Sequence, residues 1–184
     1  MQVGGPNWNV LLGRKDSRRA IGNTGDLPGA DLSLTNLAKK FSNKKLSLQD
    51  MTALSGAHTI GRSQCQNFRS HIYNDRNINA SFVTQRKQAC PPQGRGGDGN
   101  LVSFDVRTAD QFDNAYYKNL VERRGLLHSD QELFNGATQD ALVRTYSTNQ
   151  ARFFSDFATA MVKMGNLMPS GTTTEVRLNC RRAN

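Results

Sequence analysis

The segment LSGAHTIG, from Leu54 to Gly61, contains the residue around which the rest of the chain is interpreted, His58. A helix starting at Ser47 is predicted directly before it, because apolar residues recur at helical spacing and a capping box begins the pattern. His58 is therefore expected at or just past a helix end, facing inward. Gly56 and Gly61 flank it and carry no side chains, which would let a flat cofactor approach closely.

Two interpretations of His58 are open. A buried histidine at a helix end can satisfy one hydrogen bond and have no further role. A histidine that binds a metal needs an acceptor, usually a carboxylate, for its second ring nitrogen. Asp130 is the candidate acceptor. In the motif SDQELF, Ser129 and Glu132 have the spacing of a capping box, which would leave the Asp130 side chain free to reach His58.

The rest of the pattern is helical with Gly and Pro punctuation, and it predicts an all-α, mainly helical fold with a minor short β element. Residues 1–29 are turn-rich, residues 91–99 form a loop, and a short strand is predicted around 176–179. No repeat or linker divides the 184 residues, so one domain is expected. Helices are predicted over residues 34–41, 47–55, 64–73, 82–89, 112–124, 140–146 and 150–164. The last of these has an apolar stripe that is predicted to be core, formed by Phe153, Phe157, Met161 and Met164.

The chain is strongly basic, with a formal net charge of +9 and a pI of about 9.9. Its basic pairs are scattered and no nucleic-acid-binding motif accompanies them, which favours a solvated basic face with attraction for polyanions. No run reaches the ~18 apolar residues that a membrane span requires. The residues after Met1 lack the basic and apolar regions of a secretory signal. Neither a nucleic-acid partner nor a membrane is expected.

Asp105, Thr108 and Asp113 form a second candidate site. Hard cations such as Ca²⁺ bind carboxylate, hydroxyl and carbonyl oxygens. These three residues, together with Thr59 next to His58, could surround one ion. The alternative is helix capping by the aspartates that precede the following helix.

The three cysteines, Cys65, Cys90 and Cys180, include no CxxC pair, so a structural zinc site is not expected. One interpretation pairs Cys65 with Cys90, and the other leaves three buried thiols in a reducing compartment. The remaining histidines, His71 and His128, have no neighbours in the sequence that suggest ligation. They are predicted to be surface residues.

Several blocks of the sequence, in order along the chain, resemble the secretory plant haem peroxidases (class III). They are LSGAHTIG, FDVRTADQFD, YYKNL, GLLHSDQELF and RLNC, and the first residues, GGPNWNVLLGRKDS and LPGADLSLTNLAKKF, match as well. The resemblance covers nearly the whole chain. It implies the mainly helical peroxidase fold and the one-electron oxidation of small phenolic donors by hydrogen peroxide.

The resemblance also implies two cofactors, haem b and calcium. His58 matches the axial ligand of the haem iron, Asp130 the carboxylate that hydrogen-bonds it, and Phe104 an aromatic residue that packs on the imidazole. Calcium would be bound by the side chains of Thr59, Asp105, Thr108 and Asp113 and by the carbonyl of Gln111. Further matches are a haem-propionate contact at Gln64, a proline beside the access channel for aromatic donors at Pro28, and a disulfide between Cys65 and Cys90.

One expected motif does not occur in this chain. In the family, an RLHFHDC-type motif carries the histidine and arginine that act on peroxide from the distal face of the haem. Residues 1–184 are therefore expected to form the proximal, C-terminal domain, truncated and without its distal domain, so that no catalytic residue is assigned and activity is impaired. Cys180 would have its partner in that distal half. The alternative is a non-catalytic remnant that binds calcium or polyanions.

The family further implies secretion to the cell exterior, the cell wall or the vacuole, although the first residues of this sequence do not predict a signal peptide. A monomer is expected. The surface that would face the distal half offers a region for association.

Overall fold

We analysed a computed structural model, which describes residues 3–18, 24–168 and 173–184. The fold is mainly helical, as predicted. The described residues form eight α-helices: α1 (Leu34–Asn43), α2 (Leu48–Ser55), α3 (Cys65–Asn74), α4 (Ala80–Ala89), α5 (Ala115–Val121), α6 (His128–Gln131), α7 (Asp140–Thr148) and α8 (Gln150–Gly165). None of these helices is both long enough and apolar enough to cross a membrane.

Two short antiparallel strand pairs accompany the helices. Strand β1 (Asp16–Ser17) pairs with β4 (Thr174–Glu175), and β2 (Arg62–Gln64) pairs with β3 (Leu101–Ser103). The strand predicted around 176–179 is therefore wrong by several residues. The sequence pattern could not locate it, because its position depends on pairing with a segment more than 150 residues away. The β2–β3 pair was not predicted at all.

The larger core cluster is an aromatic centre between α2, α5, α7 and α8. Tyr117, Tyr146 and Phe153 have no exposed surface, and their rings contact one another with centroid distances of 4.9–5.8 Å. Aromatic pairs of this kind add about 0.5–1.5 kcal/mol beyond the area they bury. The predicted apolar stripe on α8 supplies part of this core, although Met164, which is 40% exposed, lies outside it. Helix α5 is shorter than the predicted 112–124.

The second cluster lies around the Cys65–Cys90 disulfide, which is formed. The bond joins the start of α3 to the end of α4 across 25 residues of sequence. Closing a loop of this length stabilises the fold by about 3–4 kcal/mol on a chain-entropy argument. Cys180 is exposed and has a free thiol. The prediction that His71 lies on the surface is wrong, since it is only 2% exposed.

Because Gly56 has no side chain, the backbone at this position can lie close against the aromatic side chains of the larger core. A Cβ atom at this position would lie 2.6 Å from Cε2 of Phe153 and would also collide with the hydroxyl of Tyr117. Gly56 therefore faces the aromatic centre. Its suggested role in admitting a flat cofactor is wrong, because the space beside it is filled by those two rings.

We expect the substitution Gly56→Ala to lower the free energy of unfolding by about 1–3 kcal/mol or more, because the added methyl group overpacks the aromatic centre. Urea denaturation followed by circular dichroism would measure the change. The matched control is Gly165→Ala at the end of α8, where a Cβ atom meets nothing within 4 Å. Equal effects of the two substitutions would contradict this account of Gly56.

Candidate functional site

His58 lies in a short 3₁₀ turn, Gly56–Thr59, that continues directly from α2. The helix begins with the predicted capping box: the N–H of Ser47 donates to Asp50 Oδ2 at 2.8 Å, and the N–H of Asp50 donates to Ser47 Oγ at 3.1 Å. The turn is followed by Gly61, whose φ of 92° suits glycine. These local features place the imidazole just beyond the helix end, as expected.

The imidazole of His58 contacts a buried carboxylate that lies 72 residues later in the sequence. Nδ1 of His58 is 2.8 Å from Oδ1 of Asp130, and Asp130 is only 2% exposed. The expected contact between these two side chains is present. With Nδ1 donating to Asp130, Nε2 is the ring nitrogen left for a ligand, and it has no hydrogen-bond partner among the described residues.

The predicted capping box of Ser129 and Glu132 is wrong. Helix α6 begins at His128 with Leu127 as its N-cap, two residues before the predicted cap Ser129, and the N–H of Leu127 donates to Oδ2 of Asp130 at 3.0 Å. Asp130 is thus both the capping side chain and the partner of the imidazole, because its two oxygens serve different donors. Glu132 instead accepts the N–H of Leu34 at the start of α1, at 2.8 Å.

Tyr116 is a third partner of Asp130 that the sequence analysis missed. Its hydroxyl donates to Oδ1 of Asp130 at 3.0 Å, and its ring is edge-on to His58. Burial, together with the charge of Asp130, raises the pKa of Tyr116 well above its ordinary value, so the hydroxyl stays a donor. The YYKNL motif gave no signal for this role, because a buried tyrosine on a helix is equally consistent with simple packing.

Two opposing effects act on the pKa of His58. Burial lowers it, and the negative charge of Asp130 and the hydrogen bond to it raise it. The attraction outweighs the burial, and the pKa lies above its ordinary value of 6.5. The pair therefore contributes stability below the unfolded pKa, and this contribution is lost as the pH rises through the folded-state pKa.

Phe104 stacks on the imidazole, as the sequence led us to expect. The two ring centroids are 4.1 Å apart, with an angle of 1° between the planes. Phe104 directly follows β3, and its N–H donates to the carbonyl of Gly61 at 3.1 Å. The β2–β3 pair therefore aligns the phenyl ring with the turn that carries His58.

His58 lines a cleft of about 460 Å³. Pro28 is exposed at this cleft, and Asn67 and Ser129 are polar lining residues. Gln64 is not among the residues that line it: it is exposed, and its side chain accepts the Nε2–H of Gln66 at 2.6 Å. The apolar part of the lining consists of Ala30, Leu37, Phe41, Leu54 and Leu127. The cleft is thus an open, mainly apolar space with one imidazole in its wall.

Four of the predicted calcium ligands lie close together next to the Gly56–Thr59 turn that carries His58. The hydroxyl of Thr108 is 2.9 Å from Oδ2 of Asp105 and 2.8 Å from Oδ2 of Asp113. The hydroxyl of Thr59 is 3.2 Å from the other oxygen of Asp113, and Thr59 and Asp105 are buried. A single hydroxyl has one hydrogen and can donate to only one of the two carboxylates. The second carboxylate oxygen is left facing an oxygen lone pair, and a cation would relieve this repulsion.

The alternative interpretation, helix capping, is also present at this site. Oδ1 of Asp113 accepts the N–H of Ala115, the first residue of α5, at 2.7 Å. Oδ1 of Asp105 accepts the amide of Asn119 at 2.6 Å, a partner that the sequence analysis missed. Each carboxylate therefore uses Oδ1 for structural bonds and directs Oδ2 towards Thr108. The N–H of Gln111 donates to the carbonyl of Thr108 at 2.9 Å and closes this loop.

The fold and the cleft define a mainly helical domain with a carboxylate-bonded histidine, His58, in the wall of the cleft. Comparison with known proteins specifies the family. The family model described as "Peroxidase" matches residues 1–149. Peroxidase 70 from Zea mays is 55% identical over 99% of this chain, and Peroxidase P7 from Brassica rapa subsp. rapa is 50% identical over all of it. Peroxidase 22.3 from Oryza sativa subsp. japonica is 54% identical over 99% of the chain.

The chain belongs to the peroxidase family, in its plant class III branch. It spans 58% of the length of the maize and rice relatives and 63% of the length of the Brassica protein.

In the chain without added haem, we expect Asp130→Asn to lower the pKa of His58 below 6.5, because burial stays and the attracting charge is removed. A pH titration of the Cε1–H proton by NMR would measure it. The control is Tyr116→Phe, which keeps the carboxylate, so the pKa of His58 should stay above 6.5. An unchanged pKa in Asp130→Asn would contradict the assigned cause.

Proposed function

We propose that this chain binds haem b through Nε2 of His58, and that residues 1–184 act as the proximal, C-terminal domain of a haem peroxidase. The reaction proposed for the whole protein is the hydrogen peroxide-dependent one-electron oxidation of small phenolic donors. The observation that carries the proposal is the His58–Asp130 hydrogen bond at the wall of an open apolar cleft. A histidine held this way on its second nitrogen is the usual arrangement of a metal ligand.

The residues present fit a flat, largely apolar cofactor. The cleft has aliphatic and aromatic walls, and Nε2 of His58 has no competing partner among the described residues. Polar groups also line it, and they can meet the charged edge of such a cofactor. Asn67 and Ser129 line the cleft, whereas the propionate contact of Gln64 stays a prediction.

Haem, when bound, supplies the one-electron redox chemistry of the reaction. The contribution of this chain would be to orient and polarise the imidazole of His58. Asp130 accepts the Nδ1–H bond, which fixes the tautomer and makes the imidazole a stronger electron donor. Phe104 and Tyr116 hold the ring on two sides, so that its lone pair keeps one direction. Pro28, exposed at the cleft, is the proposed contact of phenolic donors.

We also propose a calcium ion bound by the side chains of Thr59, Asp105, Thr108 and Asp113 and by the carbonyl of Gln111. The convergence of carboxylate oxygens on one hydroxyl supports it. Thr59 directly follows His58 in the same turn, so an ion at this position would tie the turn to the loop before α5. Calcium would thereby stabilise the orientation of the imidazole.

The proposed location is secreted, in the extracellular space, cell wall or vacuole. The Cys65–Cys90 disulfide supports an oxidising compartment. We propose that the whole protein is a monomer. We also propose that this chain by itself associates through the apolar surface that would face the distal half when no haem covers it.

We expect the wild-type chain titrated with haemin to develop the Soret band and the electron paramagnetic resonance spectrum of a histidine-ligated ferric haem. His58→Ala should lose the histidine-ligated spectrum and weaken binding by about tenfold or more, since the proposed ligand nitrogen is removed. The control is His128→Gln, which alters a histidine outside the cleft lining and should keep both spectra. Identical spectra for wild type and His58→Ala would refute the ligand assignment.

We expect Ca²⁺ to raise the melting temperature of the chain, and a chelator to reverse the increase. At a concentration one hundred times the dissociation constant, the stabilisation would be about 2.7 kcal/mol. Asp113→Asn should abolish most of this effect, because it removes a charged ligand. Asp110→Asn, an exposed position in the same loop, is the control and should respond like wild type. A melting temperature that is insensitive to Ca²⁺ would refute the site.

A further inference from the structure

Outside the His58 cleft, two histidines, His71 and His128, both contact one carboxylate oxygen of Asp75. His71 lies on α3 and Asp75 directly follows that helix, four residues later, so both project from one side. His128 is the first residue of α6. Nδ1 of His71 is 2.5 Å and Nδ1 of His128 is 2.6 Å from Oδ2 of Asp75. One ligand atom from each of the three residues lies within 4.8 Å of the other two.

The outer ring nitrogen of each histidine faces an acceptor. Nε2 of His71 donates to the carbonyl of Gly125 at 3.2 Å. Nε2 of His128 is 3.8 Å from Oε1 of Glu132, whose other oxygen is held by the N–H of Leu34. A backbone carbonyl or carboxylate at this position favours the tautomer with the proton on Nε2. A metal that displaces the Nδ1 protons now bonded to Asp75 would then meet two Nδ1 lone pairs that point inward, as they do in histidines that bind metals.

The charges around the cluster favour a cation. Burial of Asp75 raises the pKa of its carboxyl group, but the hydrogen bonds from His128 and His71 outweigh this and leave the pKa below its ordinary value. Asp75 is therefore ionised at neutral pH. Glu132 adds a second negative charge, whereas Arg76, exposed in the lining of a second cleft beside the cluster, opposes it with a positive one.

We propose that Nδ1 of His71, a carboxylate oxygen of Asp75 and Nδ1 of His128 bind a divalent first-row transition metal, with Zn²⁺ as the best-matched ion. Two imidazoles and one carboxylate form a ligand set that Zn²⁺ accepts and that Ca²⁺ and Mg²⁺ do not prefer. The cleft beside the cluster, of about 400 Å³, leaves room for water as a fourth ligand. The site does not depend on the haem or calcium proposals.

Metal binding requires a small opening of the cluster. Ligand atoms about 2.1 Å from a tetrahedral zinc ion are about 3.4 Å apart, so the nitrogens must move away from Oδ2 by about 1 Å. Asp75 and His128 are only half-buried and lie at a helix end and a helix start, where they can move. His71 is buried and held by Gly125, so it can stay in place. The metal would replace the protons that now join the three side chains.

The test is isothermal titration of the full chain with ZnCl₂, without haem and with excess CaCl₂ to occupy oxygen-rich sites. We expect one Zn²⁺ ion per chain. Asp75→Asn and His128→Gln should each weaken binding by about tenfold or more, because each removes a ligand. Two matched controls, His58→Ala and Cys180→Ser, remove the other candidate zinc ligands and should bind as wild type does.

Two further measurements keep the outcome unambiguous. Circular dichroism of each variant reports whether it folds. The visible spectrum of wild type with Co²⁺ in place of Zn²⁺ should contain the bands of a tetrahedral nitrogen–oxygen site without thiolate charge transfer, even if a variant fails to fold. Absence of Zn²⁺ binding to wild type would make the cluster a set of hydrogen-bonded ion pairs only and overturn the proposal. Loss of binding in Cys180→Ser, or full binding in His128→Gln, would overturn it too.

Discussion

The carboxylate of Asp130 is the constraint on which the candidate site depends. It is buried, and a buried carboxylate destabilises a protein unless hydrogen bonds replace its lost hydration. Three donors from three parts of the chain provide those bonds: Nδ1 of His58, the hydroxyl of Tyr116 and the N–H of Leu127. The turn after α2, helix α5 and the start of α6 must therefore meet at one point. The direction of the imidazole follows from that meeting.

The surrounding packing makes this geometry rigid. Gly56, two residues before His58, lies against Tyr117 and Phe153 in the aromatic centre, so the turn cannot shift without disturbing the core. On the other side, the β2–β3 pair holds Phe104 flat against the imidazole. The position of the ligand is thus set by core packing on one side and by a strand pair on the other. The ring borders the cleft on its remaining side.

Helix α6 connects the His58–Asp130 pair with the cluster of His71, Asp75 and His128. It has only four residues, yet His128 at its start contacts Asp75 and Asp130 two positions later contacts His58. Side chains two residues apart on a helix point in different directions, so one short helix can serve two sites. Any ion held by His128 would restrain the segment that also carries the carboxylate partner of His58.

Sequence alone was sufficient to predict the helical class, the capping box at Ser47 and, through several matching blocks, the pairing of His58 with Asp130. These signals are local in the chain or preserved as motifs, since helical periodicity and capping depend on residues three or four positions apart. Three features became visible only in the folded chain: Tyr116 shares the Asp130 carboxylate, Gly56 faces the core, and His71, Asp75 and His128 meet. Those contacts join segments brought together by helix packing. No local pattern encodes which distant residue will lie opposite a given side chain.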